Sequence, residues 1–130
     1  MTREPRNRLT RLRGASRIAA MCLFCRMLAG EVPMDVVRET GQSVAFRDIN
    51  PHAPTHVLVI PRRHVENLGA LAEYPEELAD VVALGASVAE EEGLDAGYRM
   101  VANTGELAGQ SVFHAHLHVL GGRRMAWPPG

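Results

Sequence analysis

The sequence predicts a single antiparallel α+β domain, and three observations carry that reading. Strand-like segments outnumber helical ones five to two, successive strands are joined by connections of hairpin length, and no βαβ alternation appears. At 130 residues and 46% hydrophobic content the chain suits one domain with one core. No apolar run approaches the roughly 20 residues of a membrane span.

Residues 22–29 suit a short helix ended by Gly30. Segments 36–40 and 43–48 flank Gly41-Gln42, a two-residue hairpin signal. Residues 55–60 form a β-branched, buried strand stopped by Pro61. A long helix is expected over 74–92. Pro75 fits its first turn, Glu76 and Glu77 favour its positive end, and Gly93 closes it. Leu78, Val81, Val82, Gly85, Val88 and Ala89 recur at helical spacing and read as its core face. Segments 98–103 and 113–120 complete the five strands.

Charge divides the chain. All 14 basic residues are arginine, and the absence of lysine fits a GC-rich coding bias, hence a bacterial source. Residues 1–20 hold six arginines against Glu4, a net +5, so the other eight arginines and 14 acidic residues leave −6. That basic stretch has no amphipathic period and reads as a disordered extension. Met21 would serve as an alternative start, and a nucleic-acid tail or transit peptide are the other readings. An acidic domain argues against nucleic acid as the main partner.

The chemistry concentrates in Gln110-Ser111-Val112-Phe113-His114-Ala115-His116-Leu117-His118. Strict alternation puts His114, His116 and His118 on one strand face, where three imidazoles need partners to be stable. Imidazole is a metal ligand, a titrating group or a nucleophile. Gly105 and Gly109 flank the histidines' entry loop, and Ser111 and Gln110 add side-chain donors. Such a loop suits an anion such as phosphate. Cys22 and Cys25 form a C-x-x-C. With no signal peptide preceding it, this reads as redox or metal binding rather than a structural disulfide, and no βαβ pattern supports a thioredoxin-like role.

Together these residues resemble the histidine triad (HIT) family, in its purine nucleoside phosphoramidase, or histidine triad nucleotide-binding, branch. The resemblance rests on the His-x-His-x-His run with Val119-Leu120 after it and on Phe46-Arg47-Asp48-Ile49-Asn50-Pro51 leading into Thr55-His56-Val57. It extends to the Gly121-Gly122-Arg123 to Trp127-Pro128-Pro129-Gly130 ending, and covers about residues 21–130. It implies a HIT-like fold whose five-stranded sheet becomes ten-stranded across a homodimer. It also implies a cytoplasmic hydrolase that binds purine nucleoside monophosphates and cleaves phosphoramidates such as adenosine phosphoramidate, or aminoacyl adenylates. His116 would be the nucleophile, passing through a nucleotidyl-histidine, with His118 and His56 orienting it and His114 and Ser111 completing the catalytic set. Nucleotide contacts would come from Phe46, Asp48, Ile49, Asn103, Gly109, Gln110 and Ser111, with His116 and His118. Cys22, Cys25, His64 and His114 would hold a structural zinc, and catalysis itself would need no cofactor.

Plainer readings stand beside these. Asp48 in Asp-Ile-Asn-Pro also suits a turn. Phe46 and Ile49 also suit a core, His56 a strand end, and Asn103 a loop cap. Ala126 stands where some relatives carry a polar residue, which leaves the leaving-group preference open. The competing functions are a purine nucleotide sensor with incidental hydrolysis and a dinucleoside polyphosphate hydrolase.

Overall fold

The computed structural model describes residues 21–130, so the basic extension 1–20 lies outside the described residues. Two helices, five strands and two short 3-10 turns follow in order: α1 (Leu23–Leu28), β1 (Val36–Glu39), β2 (Ser43–Arg47), β3 (Thr55–Pro61), a turn at Ala70–Glu73, α2 (Pro75–Glu91), β4 (Tyr98–Val101), a turn at Glu106–Ala108, and β5 (Leu117–Gly121). The strands form one antiparallel sheet in the order β1-β2-β3-β5-β4.

Both helices stop for the same reason. Gly30 and Gly93 take φ of +82° and +75°, and in each case the next residue's N–H turns back to the carbonyl five residues earlier (Glu31 to Arg26, Leu94 to Ala89). This is the Schellman closure that glycine permits without steric cost. The hairpin at Gly41-Gln42 works differently. Gly41 has no positive φ, and the Thr40 hydroxyl caps the turn by accepting from the Ser43 and Gln42 N–H groups while donating to Asp80 at 2.6 Å.

The two-residue period of the strands sorts the core into two layers. Ala45, Val57, Val59, Leu117 and Val119 face α2, where they meet Val81, Leu84, Val88 and Ala89. A Cβ on Gly85 would stand 3.0 Å from Met100 Cε, so glycine lets α2 lie close to the sheet. Val82 leaves the stripe and is exposed, while Leu84, on the stripe's opposite edge, is buried. The alternate residues Val44, Phe46, Leu58 and Ile60 point to the opposite face and pack on Phe24 of α1. That face is only partly covered. His56 and His118 lie on it, beyond the reach of α1.

Two boundaries differ from expectation in ways that bear on the site. β4 ends at Val101, two residues before Asn103. β5 begins at Leu117, so Phe113, His114 and His116 precede the ladder rather than lie within it. The β3–β5 ladder stops at Val59 and Leu117 although β3 runs on to Pro61, and the Ala115 N–H goes instead to the Val65 carbonyl at 2.8 Å.

Candidate active site and metal cluster

The histidine rings nevertheless cluster in two runs, with Phe24 against both. Ring centroids lie 5.0 Å apart for His64–His114 and His116–His118, and 5.2 Å for His56–His118. Phe24 lies edge-on to His114 and His116 at 5.8 and 5.1 Å, walling both runs with hydrocarbon.

Hydrogen bonds assign the protons. A carbonyl only accepts and a backbone N–H only donates, so each such contact fixes one ring nitrogen. His116 Nδ1 is 2.8 Å from the His114 carbonyl, so Nδ1 carries hydrogen and Nε2 keeps its lone pair. His114 Nε2 is 2.8 Å from the Pro61 carbonyl, which leaves its Nδ1 as the lone-pair nitrogen. The His52 N–H donates to His56 Nδ1 at 3.0 Å. In a neutral ring, His56 Nε2 therefore bears the hydrogen it gives to His118 Nδ1 at 2.9 Å, and His118 presents Nε2–H outward.

Burial favours the neutral form of His56, His64, His114 and His118. Desolvation lowers the pKa of His56 against the upward pull of Asp48. It lowers His118 to about 4, with the neighbouring His116 and His56 adding to the effect. It takes His114 to about 4 against the Pro61 bond, with His64 and His116 contributing further, and it lowers His64 as well.

At the far end, His114 Nδ1 looks into a cluster of Cys22, Cys25 and His64 whose ligand atoms all lie within 4.8 Å of one another. Cys22 Sγ is 3.5 Å and His64 Nδ1 3.2 Å from His114 Nδ1, and Cys25 Sγ is 3.4 Å from His64 Nδ1. Four donors at 2.0–2.3 Å from a tetrahedral ion stand roughly 3.3–3.8 Å apart, so the set fits zinc. Both cysteines are free thiols. Burial, then the neighbouring Cys22, pushes the Cys25 thiol up to about 12, so the bare pair makes a poor redox couple.

At the near end, a cleft of about 480 Å³ is lined by Asp48, His56, Asn103, Gly109, Ser111 and His118, among others. Asp48 takes the turn role foreseen for it and also faces the histidines. Its Oδ1 accepts the Asn50 N–H at 2.8 Å as a turn residue, and its Oδ2 lies 3.4 Å from His56 Nε2.

The HIT domain family profile matches residues 29–125. The chain belongs to the HIT domain family. A HIT-like protein of Synechococcus elongatus, itself uncharacterised, is 46% identical over 109 residues, covering 83% of this chain and 96% of its own. A protein of Zea mays described as a 14 kDa zinc-binding protein is 45% identical over 112 residues, covering 83% and 87%. Among solved structures, a HIT family hydrolase of Legionella pneumophila superposes with a TM-score of 0.80 at 47% identity, over 84% of this chain and 99% of its own. The likeness to a HIT family hydrolase of Clostridium thermocellum gives 0.78 at 40%, over 82% and 94%.

Four residues of this HIT domain sit otherwise than the sequence suggested. Gln110 is buried and offers a ligand nothing. Its Oε1 accepts the Gly105 N–H at 2.8 Å, and its amide donates to the Glu66 and Val112 carbonyls at 2.8 and 3.1 Å. It shapes the loop that presents Asn103, Gly109 and Ser111. Phe46 is 1% exposed, beneath the face rather than at its surface, while Ile49 stands out in solvent at 90%. His114 spends both ring nitrogens away from the cleft and touches His116 through its carbonyl alone. Sequence reasoning missed Phe24 as a site neighbour. Its position between the two cysteines was the available signal.

Proposed function

We propose that this HIT protein is a purine nucleotide-binding hydrolase that cleaves nucleoside 5′-phosphoramidates through a nucleotidyl-histidine intermediate. The observation that carries the reading is the proton assignment around His116. Its Nδ1–H is held by the His114 carbonyl, so the lone pair sits on Nε2 of a buried, hydrocarbon-walled imidazole. Such a nitrogen attacks phosphorus without first losing a proton. As the new N–P bond forms, the amine leaves with the P–N electron pair and takes up a proton. Water then attacks phosphorus, releasing the nucleoside monophosphate and returning the pair to His116.

His118, held by His56, faces the reacting group with Nε2–H, a donor suited to a phosphoryl oxygen or leaving group. Ser111, Asn103 and Gly109 supply further neutral donors around the phosphate, and the Asp48 carboxylate accepts from ribose hydroxyls beside Ile49. Cys22, Cys25, His64 and His114 would hold zinc, whose charge stabilises the thiolates and ties α1 to the segment leading into β5. Four protein ligands leave no position for a reacting water, so the metal's part is structural. β4 has one ladder, to β5, and a second copy adding its β4 to the free edge would make a ten-stranded homodimer sheet. Paired thiols held as ligands suit a cytoplasmic protein. Among the described residues, no helix is long and apolar enough to cross a membrane.

The test is turnover of adenosine phosphoramidate, with acid-free quenching and mass spectrometry of the peptide bearing His116. AMP on that peptide supports the reading. AMP binding without turnover makes the protein a nucleotide sensor, and turnover of dinucleoside polyphosphates alone moves it to the other branch.

A further inference from the structure

The His56–His118 contact needs one hydrogen between two nitrogens, and two arrangements satisfy it. With the hydrogen on His56 Nε2, His118 shows Nε2–H to the cleft. With the hydrogen on His118 Nδ1, the same ring shows a bare lone pair, which has the wrong polarity toward a phosphoryl oxygen. The His52 N–H, by donating to His56 Nδ1 at 3.0 Å, leaves the His56 hydrogen on Nε2, where the Asp48 carboxylate at 3.4 Å also favours it.

That N–H sits in a segment with little holding it. Residues 49–54 pair with no strand, and Pro51 and Pro54 supply no backbone N–H to stitch the loop to its surroundings. What holds His52 is Arg123. Its Nε and Nη2 both donate to the His52 carbonyl, at 3.2 and 3.0 Å, and its Nη1 donates to the Arg124 carbonyl at 3.1 Å. The clamped carbonyl and the donating N–H flank the same α-carbon. Arg123 itself is exposed, far from the buried core, so hydrogen bonds of this kind contribute little to stability.

We propose that Arg123 is a positioning residue: its fork on the His52 carbonyl sets the tautomer of the His56–His118 pair, and so the polarity His118 presents to the cleft. The tautomer is independent of what the protein acts on. Only the kinetic consequence rests on the phosphoramidase reading.

Histidine-selective isotope labelling with long-range proton–nitrogen NMR correlations reads which ring nitrogen carries hydrogen. In the full-length protein, His56 and His118 are expected as single Nε2–H forms. In Arg123→Met, His118 should populate Nδ1–H. The kcat for adenosine phosphoramidate should fall roughly 10–100-fold, as for the loss of other groups that orient a working histidine. AMP affinity should fall less than kcat, since only the His118 contact changes polarity and Arg123 itself touches no ligand. Arg123→Lys, one donor in place of a fork, should recover part of both signals, and Arg124→Gln, which removes a like charge next door, should move neither. Unchanged tautomers in Arg123→Met overturn the proposal, even if activity falls. If Arg123→Met does not fold, the Arg123→Lys spectra decide by the same criterion. A wild-type protein that leaves phosphoramidates intact while Arg123→Met still shifts the tautomer would sink the enzyme reading and leave this one standing.

Discussion

His114 and His118 lie four residues apart on one segment, and burial holds both below the ordinary histidine pKa, to about 4. Their surroundings part them. His114 is fully buried, its Nε2–H tied to the Pro61 carbonyl and its lone pair aimed at two thiols and a second imidazole. His118 is half-buried, takes its hydrogen bond from His56, and turns Nε2–H toward an open cleft. Whatever occupies one nitrogen determines the chemistry of the other. A carbonyl on Nε2 makes a ligand, and an imidazole donor on Nδ1 makes a proton donor. Between them His116, with a carbonyl on Nδ1, is left with the lone pair that a nucleophile needs.

The largest effect expected is on that middle ring. His116→Ala should lower kcat for adenosine phosphoramidate by roughly 10³–10⁶-fold, as the loss of other covalent nucleophiles does. AMP affinity should survive, because on the proposed reading binding rests on Asp48, Ser111 and their neighbours. Residual activity within about tenfold of wild type would remove His116 from the nucleophile's role.

The closed end should answer to stability before catalysis. A metal present at a thousand times its Kd stabilises a fold by about 4 kcal/mol. At roughly 4 °C per kcal/mol, chelation should lower Tm by about 15 °C. Cys25→Ser should do the same, with a smaller loss of kcat transmitted through the His114 carbonyl. Metal analysis finding no zinc, together with a Tm indifferent to chelator, would make the four donors a reduced, metal-free pocket.

The open end should show the reverse, with binding affected and the fold unmoved. Asp48→Asn keeps the acceptor that the Asn50 N–H uses and removes only the charge, so the turn should hold. The cost should appear as KM for substrates with an intact ribose, about 1.5–3 kcal/mol for a charged hydrogen bond. Substrates lacking both ribose hydroxyls should be nearly indifferent. Equal losses on the two would reduce Asp48 to its turn.

Much of this contrast was legible in the residues, and the exceptions share a cause. Residues 55–60 were legible as a buried strand, because β-branched content is a local signal. Both helix ends were legible for the same reason, in Gly30 and Gly93. The spacing of His114, His116 and His118 foretold neighbouring rings, yet the ladder begins only at Leu117, since the Ala115 N–H is taken by the Val65 carbonyl rather than by β3. Gln110 read as a ligand donor because an amide's partners are set by tertiary contacts, here the Glu66, Val112 and Gly105 backbone. Val82 was misplaced, and Phe24 missed, for a like reason. Periodicity states which residues share a stripe but not where the stripe's edge or a neighbour's ring falls.

The smallest expected effect tests whether the open end is dry enough to matter. Histidine in an unfolded chain titrates near 6.5. Desolvation holds native His118 down to about 4 and lowers His56 as well. Between those values the unfolded chain binds more protons than the native one, so stability rises with pH across the window. Stability is therefore fully present above about 6.5 and declines as pH falls toward 4. Solvent reaches His118 through the cleft and screens the effect, so the decline it causes should be shallow. Denaturant unfolding of wild type and His118→Gln, compared at pH 7 and pH 5 in metal-replete buffer, isolates it, since the Cys22–His114 cluster contributes equally to both. The wild-type protein should lose more stability between the two pH values than the variant does. Parallel losses would mean that His118 is as wet as an ordinary surface histidine, and the difference between the two ends of the site would then reside in the metal ligands alone.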